Sequence, residues 1–204
     1  MKRCFTLLEL LFVLVIMSGF LIFAKINYIN NDLQTVSKHL VLHLKNLRYQ
    51  ALIDNKYSYE DKWYKKRWTL KFLNCNKSIG GIYYIMFSDL NMKGHANQSE
   101  TLKDALNSKY LYATSSCKEN KNRSKHVLLS KNYNIKEIKL SCNKTKSLGQ
   151  ISFSSSGKIY ASLSNQNENN EIKKDCYLEI IHQNNDSSTI VIRNTTGYVS
   201  LYSK

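Results

Sequence analysis

The sequence has no proline and only seven glycines among its 204 residues, and the glycines are scattered. It contains neither a glycine-rich loop that would cradle a phosphate nor the G-x-S-x-G motif of many hydrolases. Cysteine and histidine do not occur together at the spacing of a catalytic pair or a compact zinc site. The sequence therefore predicts no enzyme, no cofactor and no metal.

Acidic residues are also scarce. The chain has 15 Asp and Glu against 30 Lys and Arg, which gives a formal charge of +15 at pH 7. Such an excess can attract an anionic partner such as nucleic acid or acidic lipid over a distance. The alternative interpretation is that the lysines only keep the surface solvated. The length suits one compact domain with an extended element attached, so one folded domain is expected.

None of the five cysteines forms a C-x-x-C pair. Wide spacing favours a disulfide framework over a metal site, and disulfides persist if the domain is exported. Three pairings are open to the four cysteines concerned, which are Cys75, Cys117, Cys142 and Cys176.

Residues 5–24 are almost wholly apolar and follow Lys2 and Arg3. A helix of that length is about 30 Å long, enough to span the core of a bilayer. The basic residues in front of it predict a cytoplasmic N-terminus and an exported remainder. A cleaved secretory signal is the alternative, but the best cleavage sequence after the run, Ile22-Phe23-Ala24, is poor.

A carboxylate one turn into such a helix costs a few kcal/mol unless a partner neutralises it. Here it is Glu9, and the run Phe5-Thr6-Leu7-Leu8-Glu9-Leu10 resembles the N-terminal motif of type IV prepilins and pseudopilins. The resemblance implies that a prepilin peptidase cuts between Cys4 and Phe5 and methylates the new amine of Phe5. It also implies that Glu9 neutralises the N-terminal amine of a neighbouring subunit during assembly.

The family usually has glycine where this chain has Cys4, at a position that the peptidase reads. Either Cys4 is tolerated as a small residue, or the chain stays uncut. In both cases the resemblance implies a single-pass protein of the bacterial inner membrane with a periplasmic C-terminal domain.

The resemblance also predicts a function. The chain is expected to be a minor pseudopilin that assembles into, or primes, a periplasmic pseudopilus of a type II secretion, type IV pilus or natural transformation system. Its partners would be other pilins and pseudopilins, the inner-membrane assembly platform and the prepilin peptidase.

Beyond residue 25 the apolar positions recur at steps of three or four, as in an amphipathic helix: Leu33, Val36, Leu40, Leu44, Leu47 and Ala51. His39 and His43 have the spacing of metal ligands on a helix, but Leu40 stands where the H-E-x-x-H motif has glutamate. The two histidines are therefore interpreted as flanking a packed stripe. The pattern predicts that the helix continues to residue 53 and lies on a globular domain.

From residue 68 the pattern changes to the alternation of strands. Turn residues at 154–157 and 194–197 predict two hairpins, and 92–123 is interpreted as an insertion with a short helix at 102–106. Strands are predicted at 68–72, 82–87, 127–129, 135–140, 151–153, 159–163, 177–181, 189–193 and 198–202.

The predicted fold class is α+β, with a long N-terminal helix, membrane-spanning in its first half, packed on a mostly antiparallel β domain. The predicted segments are a leader at 1–4, a transmembrane helix at 5–24, an amphipathic continuation at 25–53 and a periplasmic β-rich domain at 54–204. This order of elements resembles the GspH/FimT type of minor pseudopilin.

A second hypothesis is binding of DNA by a membrane-anchored protein during uptake. Some FimT-like proteins bind DNA through a G-R-x-R tail, but the matching residues 197–200 of this chain lack both arginines. A mixture of cations and aromatic rings elsewhere suits phosphate contact and base stacking: Lys62, Trp63, Lys65, Lys66 and Arg67. A second basic run comprises Lys118, Lys121, Arg123 and Lys125. The alternative for the first cluster is that its rings face the core and its lysines face water.

Overall fold

The computed structural model describes residues 7–145, 147–161 and 170–202, and for residues 23–31 it describes the course of the backbone alone. The predicted leader and the predicted cleavage point between Cys4 and Phe5 lie outside the described residues.

Two antiparallel sheets of four strands each form the globular part. In the first sheet the spatial order is β2 (Ile82–Phe87), β1 (Trp68–Asn74), β4 (Gly149–Phe153) and β5 (Ile159–Tyr160). In the second it is β3 (Ile135–Leu140), β6 (Cys176–His182), β7 (Ser187–Ile192) and β8 (Val199–Leu201). The fold is thus α+β.

Helix α1 runs from Leu7 to Ile53 and contacts both sheets through its C-terminal half. The side chains that make this contact are 0–2% exposed and recur at steps of three or four residues: Val36, Leu40, Leu44, Leu47 and Ala51. They join one continuous core with β1, β2, β4, β6 and β7.

The predicted membrane-spanning helix at 5–24 is wrong, and the predicted fold class must be corrected in that respect. No helix in the described part of the chain combines the length and the apolarity needed to cross a membrane. The predicted placement as a single-pass inner-membrane protein with a cytoplasmic N-terminus and a periplasmic domain is therefore also wrong.

Both predicted hairpins are present, and their turns contact each other. Strands β4 and β5 pair across residues 154–157, and β7 and β8 pair across 194–197. Gly157 and Gly197 both have positive φ, and a Cβ on Gly197 would lie 2.6 Å from the carbonyl oxygen of Gly157. Arg48 Nε of α1 donates to the Thr196 carbonyl at 2.7 Å, so the helix, too, is fastened at this point.

Two predicted elements are wrong. Residues 127–129 do not form a strand but lie between a 3-10 turn (Lys125–Val127) and the short helix α2 (Leu129–Tyr133). Residues 102–106 are not helical, because Leu102 is extended along β2, where its N–H donates to the Met86 carbonyl at 2.8 Å. Partners distant in the sequence decide both conformations.

The structure contains two disulfides, as predicted, and it selects one of the three pairings. Cys75, just after β1, is joined to Cys117 in the insertion, and Cys142, just after β3, is joined to Cys176 at the start of β6.

Candidate functional site

The N-terminal half of α1 has no packing surface within the domain. Every large apolar side chain from Leu7 to Ile22 is 44–81% exposed, with Leu7 at 81% and Val13 at 44% as the extremes. Glu9 lies in the first turn of this segment. We call Leu7–Ile22 the exposed apolar segment.

The predicted nucleic-acid cluster lies on a 3-10 helix, Trp63–Lys66, directly before β1. Two lysines of the cluster form ion pairs with acidic neighbours: Lys62 lies 3.9 Å from Asp61, and Lys66 lies 2.5 Å from Glu60. Two of the three lysines are therefore paired with carboxylates.

Arg67, the last residue of this cluster, is only 6% exposed. Its guanidinium lies between two rings, 3.8 Å from the centre of Tyr160 and 4.8 Å from the centre of Trp63. This cation–π arrangement links β5 to the segment before β1. Arg67 and the inner face of Trp63 therefore contribute to packing rather than to an open surface for phosphates and bases.

A buried polar network connects α1 with β2 and the insertion. His43 is 0% exposed, and its Nε2 donates to Asp104 Oδ1 at 3.0 Å while its Nδ1 lies 2.6 Å from the Tyr84 hydroxyl. Ser124 Oγ donates to Asp104 Oδ2 at 2.5 Å, and the Leu106 N–H donates to Asp104 Oδ1 at 2.9 Å.

Asp104 remains a carboxylate in this setting. Burial alone would raise its pKa, but hydrogen bonds from His43, Ser124 and the Leu106 N–H outweigh burial and hold the pKa below the ordinary value. The pKa of Tyr84 is raised well above its usual value by burial and by the nearby Asp104, which keeps its hydroxyl protonated.

The order of these groups does not match a nucleophilic triad. In a Ser-His-Asp triad the serine is bonded to histidine, whereas Ser124 is bonded to the carboxylate. Ser124 and Asp104 are each 1% exposed, so a substrate has no access to them. The network fastens α1 to the domain.

A second, half-buried group lies beside this network. The Tyr133 hydroxyl is hydrogen-bonded to His126 Nδ1 and lies 3.1 Å from His39 Nδ1, and the two imidazole rings are 4.2 Å apart. Burial and the neighbouring His39 lower the pKa of His126 to about 4, and burial followed by His43 lowers the pKa of His39. No set of three or more His, Cys, Asp or Glu in the described residues is arranged to hold a metal ion.

These histidines predict a loss of stability in mild acid. Because the folded pKa of His126 is lowered from 6.5 to about 4, the unfolded chain binds the proton more readily between those values, and stability falls as pH falls through this window. Asp104, whose pKa is lowered, contributes stability that is lost only at lower pH. Since the His126 ring is half-buried and water screens it, the expected loss is about 1–2 kcal/mol.

Urea unfolding at a series of pH values checks this prediction. Replacing His126 with asparagine should flatten the dependence of the free energy of unfolding on pH between pH 6.5 and 4. At pH 8 the substitution should change the free energy of unfolding less than it does at pH 4. An equally steep profile in H126N would assign the acid sensitivity to other groups.

The sequence singled out His39 and His43 by their spacing but gave no sign of their partners, because Asp104 lies in a loop of the insertion and His126 lies in the 3-10 turn that follows it. The pairing of the predicted DNA cluster with Glu60 and Asp61 had a signal, since both acids precede it directly in the sequence.

No protein-family model, curated protein or solved structure matches this chain.

Proposed function

We propose that this protein is a pilin-like filament subunit that assembles through the exposed apolar segment of α1. The observation that carries the proposal is the solvent exposure of every large apolar side chain from Leu7 to Ile22. Proteins that act as monomers rarely expose a continuous apolar surface of this extent. Burial of this surface against a partner would be favoured by the hydrophobic effect.

The kind of partner follows from the distribution of these side chains. They surround the helix on all sides, as in helices that are enclosed by others, and do not form a single stripe. Helices of other subunits, packed around this one, would enclose it in that way. The globular domain, fastened to the other half of α1 by Arg48 and the His43 network, would then lie outside the bundle.

The resemblance of residues 5–10 to the prepilin motif supports the same proposal. In that scheme Glu9 neutralises the N-terminal amine of a neighbouring subunit, so that assembly requires the carboxylate, and a prepilin peptidase prepares the amine. Secretion, pilus and DNA-uptake filaments share this mode of assembly. The proposal therefore covers all three kinds of filament and does not choose among them.

Site-specific photocrosslinking in cells that make the protein naturally tests the proposal. With p-benzoylphenylalanine at Phe12, we expect crosslinks to other pilin-like chains through their N-terminal helices. Placed at Tyr59, which is 99% exposed on the globular domain, the same probe should yield few of these adducts.

Glu9→Ala should abolish most of the Phe12 crosslinks, and Ser18→Ala, which removes an uncharged polar group from the same segment, should keep them. Crosslinks from Phe12 to lipid alone, or a Glu9→Ala variant with an unchanged pattern, would overturn the proposal.

A further inference from the structure

The insertion forms a basic groove of about 550 Å³ on the surface of the domain. Hydrogen bonds fix its walls: the Tyr110 N–H donates to the Asn122 carbonyl at 3.0 Å, and the Ser124 N–H donates to the Tyr110 carbonyl at 2.9 Å. All of the lining residues are polar or charged: Asn107, Lys109, Glu119, Asn120, Lys121, Arg123, Lys125 and His126.

The positive charge of this groove is not compensated as it is in the first basic cluster. No ion pair among the described residues includes Lys109, Lys121 or Lys125. The single carboxylate of the lining, Glu119, lies 3.5 Å from Lys131, outside the groove. The groove therefore concentrates positive potential at one place on the surface.

The aromatic rings near the groove are already covered by cations. Arg123 lies 4.9 Å from the centre of the Tyr112 ring and donates from Nε to Gln98 at 2.9 Å, and Lys103 lies 5.5 Å from the centre of the Tyr110 ring. One face of each ring is therefore taken by a cation, and neither ring lines the groove. Recognition by this groove would therefore depend on phosphates and not on stacking.

We infer that the groove lined by Lys109, Lys121, Arg123 and Lys125 binds the phosphate backbone of nucleic acid without preference for base sequence. The three lysines are exposed, while Arg123 is held in place by Gln98 and Tyr112. An anionic lipid surface fits less well, since the lining offers no large apolar side chain to enter the acyl region.

The experiment uses the full chain in mild detergent, which shields the exposed apolar segment. Fluorescence anisotropy with a short mixed-sequence DNA duplex, repeated over a range of salt concentrations, should give an affinity that falls steeply with salt. The triple variant K109A/K121A/K125A should bind at least about 10-fold more weakly and reduce the salt slope by about 2–3, as expected for three lost phosphate contacts.

The matched control is K62A/K65A/K66A, which removes three charges from the first basic cluster. This variant should retain near-wild-type affinity, and duplexes of different sequence should bind alike. The inference is overturned if the control variant loses affinity while the groove variant keeps it, if vesicles with acidic lipid bind and DNA does not, or if no DNA is retained at physiological salt.

Discussion

Replacing Asp104 with alanine is expected to lower the free energy of unfolding by about 3–5 kcal/mol, because it removes the buried carboxylate that accepts several hydrogen bonds. The Asp104 side chain accepts hydrogen bonds from His43, Ser124, Asn107 and the Leu106 N–H. Alanine would leave the buried donors of His43 and Ser124 without this acceptor, and desolvated donors are costly.

Urea unfolding of the oxidised protein at pH 7.5 measures this loss. Asp175→Ala provides the control, because Asp175 is paired with Arg193 at 2.6 Å on the surface, where such a pair contributes about 0–1 kcal/mol. In a double-mutant cycle with His43→Ala, the second substitution should cost much less than the first, since the two residues contact each other. Equal losses for Asp104→Ala and Asp175→Ala would refute the role assigned to the network.

The parts of the fold that the sequence predicted well are those governed by local periodicity. Leu40, Leu44 and Leu47 repeat at helical spacing and are buried, and β6 alternates buried and exposed side chains from Cys176 to His182. The hairpins at Gly157 and Gly197 were visible because their turns need residues that tolerate positive φ.

Where partners distant in the sequence decide the conformation, the sequence predicted less. The apolar residues 127–129 have the composition of a strand, yet Ser130 Oγ accepts from the Ile82 N–H at 2.9 Å and donates to the Ile135 carbonyl at 2.6 Å, so a helical turn fits between the edges of the two sheets. Asp104 lies 61 residues from His43, and its surroundings look like an ordinary polar loop. The pairing of distant polar groups cannot be read from local composition.

The candidate sites follow the same division. In the sequence, apolar character, the basic residues before it and Glu9 marked the N-terminal segment, and in the structure its exposure provides the surface for the proposed assembly. For the basic residues, counting charges along the chain favoured the cluster at Lys62–Arg67, but only the three-dimensional positions of the carboxylates show that Lys66 is compensated and that Lys121 is not.

Reduction of the two disulfides is expected to have the largest effect on stability. Cys75–Cys117 and Cys142–Cys176 join residues 42 and 34 positions apart, and loops of this size correspond to roughly 4 kcal/mol each in the chain-entropy description, of which about 2–4 kcal/mol is commonly measured. Domains of this kind are stable by about 5–15 kcal/mol, so loss of both bonds would leave little margin.

Urea unfolding with and without reductant measures the combined contribution of the two disulfides to the free energy of unfolding. A Cys4→Ser background prevents crosslinking between chains. C75A/C117A and C142A/C176A should each lose about 2–4 kcal/mol, and the variant lacking all four cysteines should not respond to reductant. Loss of the Cys75–Cys117 bond should also weaken the His43 network, because the loop that this bond closes contains both Tyr84 and Asp104. A reductant effect below about 1 kcal/mol would mean that the core and α1 hold the domain together without these bonds.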